Sequence, residues 1–129
     1  MRALFVVLGI LIAVPASAAE KFYMSLGAYV ALEEAATDKA IGSPVVNVYL
    51  GGVIEAMGTA NDLLESDRQK EVYCLGKSSI SAEILRRFIN EYVASIRGLG
   101  DRALQTAYSE LNVGAVAVFI LRNKFPCLK

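Results

Sequence analysis

The segment from Ile80 to Ile96, ISAEILRRFINEYVASI, decides the fold. Its apolar residues recur every three or four positions: Ile80, Ile84, Leu85, Phe88, Ile89, Tyr92, Val93 and Ile96. The remaining positions are polar, so the pattern predicts a helix with one apolar stripe facing a core. Ser78 or Ser79 is positioned to cap its start, and Gly98 is expected to end it.

The first nineteen residues have the pattern of a secretory signal peptide. Arg2 supplies the positive start, residues 3–14 are an apolar run, and residues 15–19 are a proline followed by small residues suited to cleavage. The apolar run is shorter than the roughly 20 residues that span a bilayer. We therefore expect cleavage after Ala18 or Ala19, with residues 20–129 forming a single exported domain that has no membrane span.

Composition narrows the classes of partner and the redox environment. The 129 residues include 13 basic and 13 acidic side chains, and removing the leader takes away only Arg2. This near-neutral balance gives no electrostatic basis for binding nucleic acid. Export to an oxidising compartment predicts that Cys74 and Cys127 form a disulfide. The closed loop of about 54 residues corresponds to about 4 kcal/mol of stabilisation in the chain-entropy model.

Two helices are predicted before the deciding segment. The first runs from Glu20 to Glu34, with a glycine inside it. The second begins at Ser43-Pro44, with serine as cap and proline at the first helical position. Three glycines interrupt this second helix, and close approach of another helix backbone is the expected compensation. The expected inward face is Val45, Tyr49, Val53, Ala56, Met57 and Ala60.

Two further helices are predicted after the deciding segment. Asp101 is expected to cap a short one, and Asn112 to cap a nearly all-apolar one that runs from Val113 to about Asn123. Such a helix is either central to the core or half-covered by a partner. Period-two strand patterns are absent. The prediction is an all-α, disulfide-stapled bundle of four to five helices, in which the bridge closes a helical hairpin.

The residue inventory argues against an enzyme. The chain has no histidine, which excludes serine–histidine and cysteine–histidine nucleophile pairs and most catalytic zinc sites. Phosphate-binding glycine motifs are also missing. We expect no catalytic residue, no metal and no cofactor.

Several charged features favour surface roles instead. Glu33-Glu34 offers two carboxylates for acid–base chemistry, but adjacent helical positions do not face each other, so the pair is interpreted as solvated surface. Arg86-Arg87 could bind a phosphate or a carboxylate, but it lies on the polar side of an amphipathic helix and is also interpreted as solvated surface. The six tyrosines are interpreted mainly as core residues. The charged stretch from Asp62 to Glu71 is either an uncommitted loop or a binding loop, and these alternatives stay open. If it binds a partner, the contact surface is expected in the loop from Asn61 to Tyr73. Its candidate contact residues are Asn61, Asp62, Glu65, Asp67, Arg68, Lys70 and Tyr73.

The order of motifs resembles the Rap/Tai family of periplasmic immunity proteins. The resemblance rests on Tyr49-Leu50-Gly51-Gly52-Val53, on Tyr73-Cys74 before an amphipathic helix, and on the closing Phe125-Pro126-Cys127. It implies a small helical protein with Cys74 and Cys127 as the family's bridge. It also implies that Tyr49, Gly51 and Gly52 form a helix-packing motif, and that Phe125 and Pro126 close the C-terminal end.

Through that resemblance, the expected function is inhibition of a peptidoglycan-cleaving amidase delivered by type VI secretion. The protein would act in the periplasm, bind the amidase effector as its partner and form a homodimer. The alternatives are an acid-stress chaperone like the HdeA group and an envelope protein with only a structural role. The first cysteine of the HdeA group lies near the mature N-terminus, whereas Cys74 follows two predicted helices.

Overall fold

A computed structural model describes residues 23–127, and these form five α-helices. The helices are α1 (Leu26–Ala35), α2 (Pro44–Ser66), α3 (Ala82–Arg97), α4 (Asp101–Glu110) and α5 (Val113–Lys124). The predicted all-α, disulfide-stapled bundle is confirmed. The predicted signal peptide and the predicted start of the first helix at Glu20 lie outside the described residues. No helix within residues 23–127 has the length and apolar character needed to cross a membrane.

Helix α3 is the central element, and it packs against α2, α4 and α5. Leu85, Ile89, Val93 and Ile96 are buried along one side of it, as the apolar spacing predicts. The cap prediction is wrong, because the Ser81 hydroxyl accepts the Ile84 N–H at 3.2 Å instead. The predicted end is confirmed, since the helix stops at Arg97 with Gly98 as its C-cap.

The starts of α1 and α5 are joined by backbone hydrogen bonds. The Leu26 N–H donates to the Leu111 carbonyl at 2.9 Å, and the Val113 N–H donates to the Met24 carbonyl at 2.9 Å. Asn112 caps α5 as predicted, by accepting the Ala115 N–H at 2.8 Å. The cap of α4 differs from the prediction, because α4 follows a glycine with φ of 103° and Asp101 is already its first helical residue.

The inward face of α2 is displaced from the predicted one. Val46 and Leu50 are fully buried, whereas Val45, Ala56 and Ala60 are exposed. Tyr49, Val53 and Met57 are half-buried against the core, which matches part of the prediction. The predicted face failed because α2 has apolar or small residues on nearly all sides, so its amphipathic pattern is weak.

Close backbone approach occurs on α1 rather than on α2. A Cβ atom at Gly27 would lie 3.2 Å from the Tyr108 carbonyl oxygen of α4. At Gly51, Gly52 and Gly58 an added Cβ would meet no atom of residues 23–127 within 4 Å beyond the adjoining backbone of α2 itself. Within residues 23–127, therefore, no other helix approaches the α2 glycines closely, contrary to the expectation.

The disulfide joins Cys74, which follows α2, to Cys127, which follows α5. Its Cα atoms lie 4.9 Å apart across a sequence separation of 53 residues. The bridge encloses α3, α4 and α5, so it closes a three-helix unit rather than the predicted hairpin.

Candidate partner-binding surface

The candidate binding segment is partly helix and partly loop. Helix α2 continues to Ser66, so Asn61, Asp62 and Glu65 lie on its last two turns and not in a loop. The chain then turns with Arg68 at a φ of 57°. This left-handed conformation is uncommon for a residue with a side chain. We call residues 67–72, which connect the helix to Tyr73, the α2–α3 loop.

A single side chain holds the two ends of this segment together. The Asn61 amide group donates to the Tyr73 carbonyl at 2.7 Å and accepts the Val72 N–H at 3.0 Å. Asn61 is buried, so these bonds are protected from competing water. Asparagine offers both a donor and an acceptor, which lets one residue close the loop like a clamp. Asn61 lies on the side of α2 that faces the core, in line with Leu50 and Met57, which explains why its side chain is buried.

The base of the loop is fixed a second time. The Cys74 N–H donates to the Phe125 carbonyl at 2.9 Å, beside the disulfide to Cys127. Phe125 itself is half-buried, and its ring centroid lies 6.4 Å from that of Phe88 on α3. The clamp and the bridge therefore present the α2–α3 loop from a rigid base.

The candidate contact residues divide by exposure. Asp62, Glu65, Asp67, Arg68 and Lys70 are exposed and available to a partner. Asn61 and Tyr73 are buried in the described chain, so their roles there are structural. Burial, with a smaller contribution from the Asp62 carboxylate, raises the pKa of the Tyr73 phenol. The exposed set holds three acidic and two basic side chains, so it offers both signs of charge within a short span.

A crevice of about 340 Å³ lies at the base of the loop. It is lined by Lys70, Glu71, Val72, Arg122, Pro126 and Cys127. Charged side chains from the loop and from α5 thus share one concave surface.

The same region contains a set of atoms with metal-ligand character. Donor atoms of Glu71, Cys74 and Cys127 lie within 4.8 Å of one another, and the Glu71 carboxylate is 3.1 Å from the Cys74 sulfur. Zinc binding by cysteine requires a thiolate. Both sulfurs are committed to the bridge, so this set does not fit a metal in the oxidised protein.

A buried ion pair was missed by the sequence interpretation. Glu33 and Arg86, both interpreted as solvated, are paired at 3.2 Å with side chains only 13% and 9% exposed. The Arg86 guanidinium also donates to the Ala40 carbonyl, and Glu33 accepts the Ser43 N–H at 3.0 Å. The pair therefore fixes the connector between α1 and α2 onto α3. Glu33 lies at helical spacing from apolar residues of α1, which was the available signal.

Two neighbours complete this polar cluster. Gly42 has a φ of 78°, and a Cβ atom there would overlap the Arg86 guanidinium and lie 2.9 Å from a Glu33 oxygen. The Tyr29 hydroxyl donates to Asn90 at 2.8 Å and is fully buried. Burial, and then the Glu33 charge, raise the pKa of Tyr29 well above its usual range.

Glu33-Glu34 is not a catalytic carboxylate pair, because the Glu34 side chain points away from Glu33 and pairs with Arg97 at 2.8 Å.

The expected helix-packing motif is only partly internal. The Tyr49 hydroxyl accepts the Met24 N–H at 3.3 Å, so this residue ties α2 to the start of α1. Gly51, Gly52 and Pro126 are exposed, and the two glycines touch no other helix of the described chain.

Comparison with known proteins returned no matching family model, no matching curated protein and no matching solved structure.

Proposed function

We propose that this chain is a periplasmic immunity-type protein that binds and inhibits a peptidoglycan-cleaving amidase delivered by type VI secretion. The observation that carries the proposal is the α2–α3 loop, an exposed charged segment held at both ends by Asn61 and by the disulfide. A loop on a rigid scaffold suits recognition, because little conformational entropy is lost when it binds. The resemblance to Rap/Tai proteins supplies the class of partner.

The exposed charges suggest how such a loop would recognise an enzyme. Asp67, Arg68 and Lys70 extend from the body, and Arg122 adds a positive charge at the crevice below. Opposite charges on a partner would steer the encounter and set its orientation. A loop in the mouth of a hydrolase cleft would block substrate entry without any chemistry of its own.

The test is inhibition of the peptidoglycan hydrolases encoded next to this gene, each assayed in turn. The purified, oxidised protein is titrated into each hydrolase while release of peptide from peptidoglycan is measured. We expect stoichiometric inhibition, and at least a tenfold loss of inhibition for the double variant Arg68→Glu/Lys70→Glu. Arg102→Glu reverses an exposed charge on α4 and is the matched control. Unchanged hydrolysis in the presence of the wild-type protein would refute the proposal.

The acid-stress chaperone remains a second candidate because of the buried Glu33–Arg86 pair. Acid weakens ion pairs because carboxylates in general become protonated. Loss of this pair would leave the buried Arg86 guanidinium without a counter-ion and would release the connector between α1 and α2 from α3. The test is aggregation of a client protein at about pH 2–3. Suppression there, together with no amidase inhibition near neutral pH, would favour the chaperone.

A further inference from the structure

The Glu71 residue lies directly against the disulfide. One of its carboxylate oxygens is 3.1 Å from the Cys74 sulfur, and its backbone carbonyl oxygen is 3.8 Å from the Cys127 sulfur. A disulfide sulfur carries no proton, so neither contact is a hydrogen bond in the oxidised protein. The three ion pairs found among residues 23–127 do not involve Glu71 either. Polar contacts within the described, oxidised chain therefore do not account for a carboxylate placed against these sulfurs.

The same three residues have a different chemistry before the bridge forms. Every newly made chain carries Cys74 and Cys127 as thiols, because a disulfide arises only by later oxidation. Once a thiol loses its proton, the thiolate is a zinc ligand, and a glutamate carboxylate is another. The dithiol form of the chain therefore offers three ligands of the kinds that zinc prefers, from two segments that are distant in sequence.

The three donor atoms converge closely enough to hold one ion. The Glu71 oxygen and the two sulfurs lie within 4.8 Å of one another. Zinc binds sulfur at about 2.3 Å and oxygen at about 2.0–2.2 Å, so neighbouring ligands of a tetrahedron are about 3.6–3.8 Å apart. Small side-chain rotations span the difference once the sulfur–sulfur bond is absent. All three residues are half-buried, so water can reach the fourth position of the tetrahedron.

Contacts that do not use the sulfurs hold the two segments together. The Cys74 N–H donates to the Phe125 carbonyl, and the Phe125 ring packs near the Phe88 ring. The Asn61 side chain bonds the backbone at positions 72 and 73, immediately after Glu71. These contacts place the ligands next to each other in the dithiol form as well, which lowers the entropy cost of binding an ion.

The charge around the set suits such a complex. A zinc ion with two thiolates and one carboxylate carries one net negative charge. Lys70 and Arg122 line the same crevice as Glu71 and Cys127. Nearby positive charge favours the thiolate over the thiol, and it favours a complex with a net negative charge.

We propose that Glu71, Cys74 and Cys127 form a zinc site in the dithiol form of this chain, where the ion closes the base of the α2–α3 loop before the disulfide does. Zinc binding releases the two thiol protons to solvent and changes no oxidation state. The later oxidation passes two electrons from the sulfurs to a disulfide of another molecule, which becomes a dithiol, and it expels the zinc. The site does not depend on the proposed function.

The test measures zinc binding by the purified protein after reduction with a water-soluble phosphine. Each bridge consumes one phosphine and one water molecule, and it yields two thiols and one phosphine oxide. Competition with a chromophoric chelator then gives the stoichiometry and the dissociation constant. We expect one zinc ion per reduced chain in the presence of excess Mg²⁺, because thiolates favour zinc over magnesium. The oxidised protein keeps every carboxylate and is the control for adventitious surface binding, so it should not bind zinc with this affinity.

Two glutamate variants separate this site from a simple pair of thiols. Glu71→Gln should raise the dissociation constant for zinc at least about tenfold, because it removes a ligand charge. Glu65→Gln removes an exposed carboxylate near the end of α2 and should leave the dissociation constant unchanged. With Co²⁺ in place of zinc, both variants should keep the thiolate-to-metal charge-transfer absorption, since both retain the two sulfurs.

The role of the fold is checked in the same assay. Zinc affinity should fall at least about tenfold in denaturing urea, where the two segments are no longer held together. Equal affinities of the wild-type protein and Glu71→Gln would mean that the two thiols bind alone, and this would overturn the site. Equal affinities with and without urea, or no one-to-one binding by the reduced protein, would overturn it as well.

Discussion

Replacing Glu33 with glutamine should lower the free energy of unfolding more than the same replacement of Glu34, the other charged residue of α1. The Glu33 and Arg86 atoms are 3.2 Å apart, which gives a gross attraction of about 5 kcal/mol at an effective dielectric constant of 20. Glutamine keeps an oxygen that can still accept the Ser43 N–H, so the main loss is the charge. Removing one partner of a buried pair typically costs about 3–5 kcal/mol. Both side chains remain slightly exposed, so we expect a loss of about 3 kcal/mol.

The assay is urea unfolding followed by far-ultraviolet circular dichroism, with Glu34→Gln as the matched control. Glu34 is the next residue and also pairs with an arginine, but each side chain of that pair is at least half exposed. Exposed pairs are worth less than about 1 kcal/mol. The urea midpoint should fall by more than 1 M for Glu33→Gln and by under 0.5 M for Glu34→Gln. Equal midpoints for the two variants would refute the assignment of a buried, stabilising pair.

Three further predictions concern the glycine beside that pair, the buried tyrosine and the bridge. Gly42→Ala should cost more than 2 kcal/mol, since it adds overlap with a buried guanidinium to the backbone strain of a positive φ. Gly76→Ala, with a φ of 60° and open space around it, should cost only about 1 kcal/mol in the same urea assay. Folding raises the pKa of the Tyr29 phenol, so the neutral phenol contributes its full stabilisation below about pH 10, and this stabilisation is lost as the pH rises further. In thermal melts, Tyr29→Phe should therefore reduce the fall in melting temperature at alkaline pH. Cys74→Ser/Cys127→Ser should lower the free energy of unfolding by about 4 kcal/mol, and retention of the wild-type melting temperature would contradict a stabilising bridge.

The elements with a strong one-sided pattern could be predicted from local sequence. The α3 stripe, the Asn112 cap of α5 and the proline at the start of α2 each rest on interactions within one helix or its first turn. The disulfide was predictable for another reason, because the sequence has only two cysteines and therefore offers one intramolecular pairing. Helix α2 gave no comparable signal, since apolar and small residues surround it and several rotations would bury similar area.

Local patterns in the amino-acid sequence are enough to specify a helical bundle with Cys74 and Cys127 as its bridge. Which polar groups are buried depends on contacts between distant parts of the chain. Glu33 and Arg86 are 53 positions apart, and Asn61 meets a turn that begins only after its own helix has ended. Helix periodicity reports which residues share a face, but it does not report which partner that face meets. The same limit explains α2, whose buried side, with Val46 and Leu50, is fixed by the helices that pack against it and not by its own pattern.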